Sequence, residues 1–313
     1  MEKIPVVAVL GPTASGKTAL AVELARSRRG EVISADSMQI YRGMDIATAK
    51  PSPEEKKGVP HHLMDFLEPS VPFSVAEYAA LARETIRQVW ERGGLPILAG
   101  GTGLYLDAVL DNIQFAEMGS DPALRKELAA YGERKGSAAL WELLRACDPE
   151  TAASLHENNR GRVIRAIEVC RLTGIPMSEH RRRSRSQPSP YRSLKVGIGF
   201  SDRQRLYDRI DRRVDDMLAR GLLEEARTYL RRPDLATAVQ AIGYKELAGY
   251  FRGEIPLEKA AENLRRETRR YAKRQLTWFR RDPEIHWFYP EEFASFEEFS
   301  EKVGLCIDQF LKI

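Results

Sequence analysis

At 313 residues with a net charge of only +4, the chain is long enough for about two domains and a full core without staples. Three widely spaced cysteines (Cys147, Cys170, Cys306) exclude a disulfide framework and a zinc ribbon and point to a reducing, cytoplasmic compartment; no apolar run nears a membrane span, and Met1-Glu2-Lys3-Ile4-Pro5 leaves no room for a signal peptide. The charge is uneven: residues 265–281 carry eight basic side chains against Glu267, and residues 160–192 nine arginines against Glu168 and Glu179, so two blocks of net +7 sit on an otherwise acidic chain and predict a polyanionic partner.

The apolar run Val6-Val7-Ala8-Val9-Leu10 leads straight into Gly11-Pro12-Thr13-Ala14-Ser15-Gly16-Lys17-Thr18, a phosphate-binding loop of the form GxxxxGK[ST]. Its glycines let successive backbone N–H groups turn inward on phosphate oxygens, and the helix that follows adds its positive dipole end. Lys17 is placed for the terminal phosphates and the Thr18 hydroxyl for a magnesium ion. The ligand is therefore expected to carry a di- or triphosphate.

A helix over residues 18–28 and a strand over residues 31–35 ending in Asp36 complete a βαβ opening. Ser74-Val75-Ala76-Glu77 reads as a capping box starting a helix to about Arg92, and Leu95–Ala99 as a buried strand that stops at Gly100-Gly101-Thr102-Gly103. The class is α/β, a parallel sheet flanked by helices. In such sheets ligands bind beyond the carboxyl ends of the strands, so the phosphate loop, Asp36 and the glycine turn are expected in one crevice.

From about Asn112 the pattern changes to short helices over residues 121–135, 137–147, 149–156 and 159–173, closed by Arg181-Arg182-Arg183-Ser184-Arg185-Ser186-Gln187-Pro188-Ser189-Pro190, which reads as a mobile loop. Residues 112–192 are thus expected as an all-α insertion into a core formed by residues 1–111 and 193–313, with Leu194–Phe200 a returning strand and further helices to Ile313.

Asp36 can orient an attacking group or take its proton, or instead hold magnesium through water or cap the next turn. Gln39 has the donor and acceptor to pair an adenine edge. The histidines, including His61-His62, lack a metal-site spacing. Arg205, Arg209, Arg212 and Arg213 share one helix, where a guanidinium fork suits a phosphate leaving group, although Asp208 and Asp215 could simply pair with them. Tyr271–Arg280 interleaves aromatic and basic residues, a pattern suited to single-stranded nucleic acid, while Leu276 and Phe279 keep the spacing of a core face.

Residues 11–18, together with Ser34-Ala35-Asp36-Ser37-Met38-Gln39-Ile40-Tyr41-Arg42-Gly43-Met44-Asp45-Ile46-Ala47-Thr48-Ala49-Lys50-Pro51, closely resemble the tRNA dimethylallyltransferase (tRNA isopentenyltransferase) family. Pro60-His61-His62-Leu63, Gly100–Tyr105, Gly243-Tyr244-Lys245 and Lys273–Arg280 extend the resemblance in order along nearly the whole chain. It implies transfer of a dimethylallyl group from its diphosphate to N6 of the adenine on the 3′ side of the anticodon in the tRNA anticodon stem-loop. It further implies Asp36 as base, Gly11–Thr18 on the diphosphate with Mg2+ at Thr18, and Arg209 or Arg213 as the diphosphate-binding arginine. Asp36, Ser37, Met38, Gln39 and Thr102 would meet the target nucleotide. Arg125, Arg160, Gly161, Arg162, Val163, Ile164, Gly243, Tyr244, Lys245, Lys273, Arg274, Gln275, Trp278 and Arg280 would contact tRNA. No C-terminal Cys/His cluster is present, so the chain looks like the bacterial form, and a monomer without membrane attachment is expected.

Two other classes share the phosphate loop. A small-molecule kinase would move a γ-phosphoryl group and leave the two basic blocks unexplained; an RNA-remodelling NTPase would hydrolyse nucleotide without changing RNA covalently.

Overall fold

The computed structural model describes residues 3–116, 119–235, 238 and 241–312; the chain ends at Met1, Glu2 and Ile313 lie outside them. Contacts divide the chain into two compact units, Met1–Leu110 with Pro190–Ile313, and Asp111–Ser189.

The first unit holds a six-stranded sheet in the order β3-β2-β4-β1-β5-β6, with every pairing parallel: β1 Ile4–Leu10, β2 Gly30–Ser34, β3 His61–His62, β4 Leu95–Gly100, β5 Tyr191–Ile198 and β6 Ile285–Phe288. Parallel strands need both faces covered, and β1 is accordingly buried from Pro5 to Leu10. One face packs on helix Lys17–Ser27 and helix Phe296–Leu311, through Leu20, Leu24, Phe299, Val303 and Ile307. Helix Val75–Glu91 starts with the expected capping box: the Ser74 hydroxyl accepts from Glu77 N and the Glu77 carboxylate from Ser74 N.

Register decides where the strands end. Leu10 pairs with Gly100 and Ser34 with Ala99, so the chain leaves β1, β2 and β4 at one level, and Thr102 N donates to Ala35 O. The expected crevice is there.

In the second unit, helices Pro122–Lys135, Ser137–Cys147, Pro149–Ser154, Arg160–Thr173 and Met177–Ser184 enclose a core of Leu128, Leu140, Leu144, Val163 and Ile167. Asp121 and Asp148 cap two of them by accepting from Leu124 N and Thr151 N. Two expectations are corrected. Arg181, Arg182 and Arg183 belong to the last turn of a helix, not a mobile loop, because Glu179 pairs with Arg182 and Arg183 one turn away and cations suit a helix C-terminus. Tyr191 and Arg192, assigned to the insertion, lie in β5. No helix among the described residues is long and apolar enough to cross a membrane.

Candidate active site

The loop after β1 turns through Ala14 at φ 62° and Gly16 at φ 97°, a left-handed conformation glycine adopts without strain, and releases the chain into helix Lys17–Ser27. The Lys17 ammonium folds back to donate to Pro12 O at 2.7 Å. Burial, and after it the nearby Arg213, lowers its pKa from 10.5 to about 7, while Asp36 opposes both. Thr18 stands exposed in the first helical turn.

Asp36 is held by its own turn: Oδ1 accepts from Met38 N at 2.9 Å and from Gln39 N at 3.3 Å. Ser37 N donates to Thr102 Oγ1 at 3.1 Å, tying that turn to the glycine turn after β4. A cavity of about 370 Å³ opens between them, with Lys17, Thr18, Asp36 and Arg213 on its wall. Val214, Met217, Ile242 and Leu264 give the same cavity an apolar side. One space thus offers a cationic corner for a diphosphate, a carboxylate, and apolar surface for a hydrocarbon. Tyr271 also borders it, with its hydroxyl pKa pushed upward by burial and by Asp36.

Helix Arg203–Ala219 separates the roles of its arginines. Arg209 donates from Nε to Ala14 O at 2.7 Å and so braces the loop backbone. Arg213 faces Lys17 and Asp36, and burial lowers its pKa against the pull of Asp36 and Glu55. Arg212 and Arg220 join them in a second cavity of about 480 Å³ that also touches Lys17 and Thr18. Asp215 pairs with Arg265 rather than with a neighbour on its own helix.

Several residues expected to touch RNA are committed elsewhere. The Gln39 amide donates to Thr48 O and Ala49 O, while Ser34 Oγ donates to its Oε1, so it supports a turn at the cavity wall. Gln275, only 6% exposed, accepts from Thr13 N at 2.8 Å and donates to Gly101 O at 2.9 Å, bridging the phosphate loop and the glycine turn. Trp278, half-buried, packs on Gly103 and donates to Asp107 Oδ2. Val163 and Tyr244 are buried, and Gly243 N donates to Glu246 Oε2. Arg125 pairs with the buried Glu168, and Arg160 donates to Ser137 Oγ. Leu276 and Phe279 are core side chains, as their spacing predicts. Lys273, Arg274 and Arg280 are exposed, as are Gly161 and Arg162 in the helical unit; Ile164 is half-buried, and Lys245 lines the cavity.

Two supporting residues escaped the sequence reading. Lys50, 8% exposed, donates to Tyr41 O and pairs with Asp45 and Asp65. Glu225 accepts from three successive backbone N–H groups of residues 45–47. Neither has a local signal, because each partner is set by the tertiary path of the loop.

The family model "IPP transferase" matches residues 39–282. The chain is 50% identical over 297 residues to the tRNA dimethylallyltransferase of Geobacillus thermodenitrificans, covering 94% of this chain and 93% of that one. It is 49% identical over 317 residues to that of Moorella thermoacetica, with 99% and 97% covered. Among solved structures, the full-length tRNA isopentenylpyrophosphate transferase of Bacillus halodurans superposes with a TM-score of 0.74 at 45% identity, over 99% of this chain and 97% of that one. A eukaryotic dimethylallyltransferase acting on tRNA gives 0.82 at 29% identity, over 98% and 79%.

Proposed function

The chain belongs to the IPP transferase family, and from that premise we propose that it transfers a dimethylallyl group from dimethylallyl diphosphate to N6 of the adenine 3′-adjacent to the anticodon in tRNA. The observation that carries this reading is the cavity whose wall brings Asp36 together with Lys17, Arg213 and apolar side chains.

The chemistry assigns each group a task. An exocyclic adenine amine is a poor nucleophile because its lone pair is delocalised into the ring, so its proton leaves as the N6–carbon bond forms. Asp36 takes that proton, its carboxylate already aimed by two backbone N–H groups. As the allylic C–O bond breaks, negative charge gathers on the departing diphosphate. The N–H groups at the start of helix Lys17–Ser27, Lys17 and Arg213 stabilise that charge where it develops. Here the phosphate loop serves a leaving group.

The residues fit Mg2+. Thr18 offers one exposed hard oxygen beside the phosphate loop, which suits an ion that takes few protein ligands and completes its shell with phosphate oxygens. When bound there, magnesium supplies further charge neutralisation to the diphosphate.

A loop adenine unstacks at a cost of about a few kcal/mol, which the unpaired anticodon loop makes accessible. Lys273, Arg274 and Arg280 present exposed cations for the RNA backbone, and Arg160, Gly161 and Arg162 offer exposed positions on the helical unit. The cytoplasm is the compartment where such a substrate is met.

Diphosphate release tests the reading. We expect it only when dimethylallyl diphosphate and tRNA are both present; ATP turnover, with or without RNA, in place of donor-dependent release would replace it with a kinase or an RNA-stimulated NTPase.

A further inference from the structure

The loop Met44–Ala49 forms part of the cavity wall: Ala47, Thr48 and Ala49 line the same space as Lys17 and Asp36. Nothing regular supports this wall, since residues 45–49 lie outside helices and strands. Besides its own turn bonds, Ala49 N to Ile46 O and Lys50 N to Asp45 O, it is held by side chains reaching in from elsewhere.

Glu225, in the first turn of helix Leu222–Leu230, makes the densest set of these contacts. Its Oε2 accepts from Asp45 N at 2.8 Å and Ile46 N at 2.7 Å, and its Oε1 from Ala47 N at 2.9 Å and the Tyr244 hydroxyl at 3.0 Å. Four donors converge on one carboxylate, and among the described residues no basic side chain pairs with it. Consecutive N–H groups curled round an anion form a nest, and hydrogen bonds to a charged acceptor are about twice as strong as neutral ones.

The surroundings keep the carboxylate in place. Tyr229, one helical turn on, stacks on Tyr244 with ring centroids 5.3 Å apart and donates to Arg42 O at 2.9 Å. Behind the wall lies Gly243 at φ +123°, where a Cβ would come within 2.9 Å of Ala47 Cβ, so the wall rests directly on its backbone. The Gly243-Tyr244 motif therefore serves the wall from behind.

We propose that Glu225 is a positioning residue that fixes the separation of the Ala47–Ala49 wall from the phosphate loop, and so sets the width available to the hydrocarbon of the allylic diphosphate donor. This rests on the prenyl-transfer reading above. With the carboxylate in place the wall holds the cavity to about 370 Å³ and favours a five-carbon chain. With the nest emptied, the wall slackens and a longer chain is tolerated.

The test uses the full chain with Glu225→Gln, which keeps the size and turns one acceptor into a donor facing donors. Binding of dimethylallyl diphosphate and of ten-carbon geranyl diphosphate is measured by calorimetry, alongside donor and tRNA KM values. Loss of hydrogen bonds to a charged acceptor predicts about tenfold weaker binding of the five-carbon donor and a preference for it over the ten-carbon donor reduced by about tenfold, while the KM for tRNA stays put. A fall in melting temperature with unchanged donor affinity and preference, or a parallel rise in both KM values, would overturn the proposal. Should E225Q fail to fold, E225D withdraws the carboxylate by one methylene and carries the same readouts. Calorimetric donor binding needs no turnover, so a wild-type protein that binds the donor but leaves tRNA unmodified counts against the activity and not against the wall.

Discussion

The cavity and the basic end of helix Leu257–Phe279 use charge in opposite ways. In the cavity few ionic groups meet, half-buried and close enough to bear on one another: burial and Arg213 push Lys17 down to about 7 while Asp36 pulls it up. Along the helix the cations are many. Arg265 and Arg269 are tied to Asp215 and Asp211, and Arg270 to Glu267, whereas Lys273, Arg280 and Arg281 stand in solvent without an ion pair among the described residues, and Arg274 reaches the edge of the cavity beside Tyr271. Shielded charges act singly and strongly; solvated ones act additively and are weakened by salt. A net charge of +7 in the sequence is thus a poor measure of a binding surface until its internal pairs are subtracted.

The sharpest break in this contrast is expected at Asp36. Asp36→Ala should cut turnover by about 10²-fold or more while tRNA binding stays near wild type, because a positioned base acts only on the reacting proton; steady-state kinetics beside a filter-binding titration separates the two. Lys17→Ala should lower kcat/KM for the donor by about 10²-fold, the scale of a missing preorganised charge, with tRNA affinity again spared. Replacing Lys273 and Arg280 together, which do not line the cavity, should leave donor binding intact, weaken tRNA binding, and flatten its log–log salt dependence by about 0.7 to 0.9 for each phosphate left without a cation. A slope that does not change would place the RNA elsewhere.

Smaller effects sharpen the same comparison. With its pKa near 7 in the free protein, Lys17 is increasingly neutral as pH rises above that value. A diphosphate favours the ammonium form, so donor binding should take up a proton and weaken as pH climbs above about 7, which calorimetry in buffers of different ionisation enthalpy detects. The same depressed pKa makes the unfolded chain bind more protons between about 7 and 10.5, so this group's contribution to stability rises with pH across that window. Smallest of all, Arg269→Ala removes a cation already paired with Asp211 and Glu262 and should cost no more than about 1 kcal/mol of stability. Its salt slope for tRNA should match wild type, unlike that of the solvent-facing cations.

The parts of the fold legible beforehand are those with local causes. The strand, glycine loop and helix at residues 6–27 follow from an apolar run meeting Gly11 and Gly16, and Ser137–Cys147 is bounded by Gly136 before it and Asp148 after it. Strands β3 and β6 went unseen because two and four residues carry too little pattern, and their pairing depends on a neighbour already in place. The site divides similarly. Asp36, Lys17 and Thr18 follow from motif chemistry, and their convergence follows from the sheet. The tasks of Gln39, Gln275 and Glu225 were illegible, since an amide or carboxylate reads the same in sequence whether it faces RNA or a loop 180 residues distant. Arg209 and Arg213 are four residues apart on one helix, and only the path of the loop decides that the first braces Ala14 while the second faces Lys17 and Asp36.

The central claim is that one cavity joins a diphosphate cradle to a base acting on adenine. Mass analysis of nucleosides from tRNA incubated with the protein, magnesium and dimethylallyl diphosphate tests it most directly. The account predicts a single dimethylallylated adenosine, mapped to the position 3′ of the anticodon and absent with Asp36→Ala; unmodified nucleosides, or a prenyl group on another base, would contradict it.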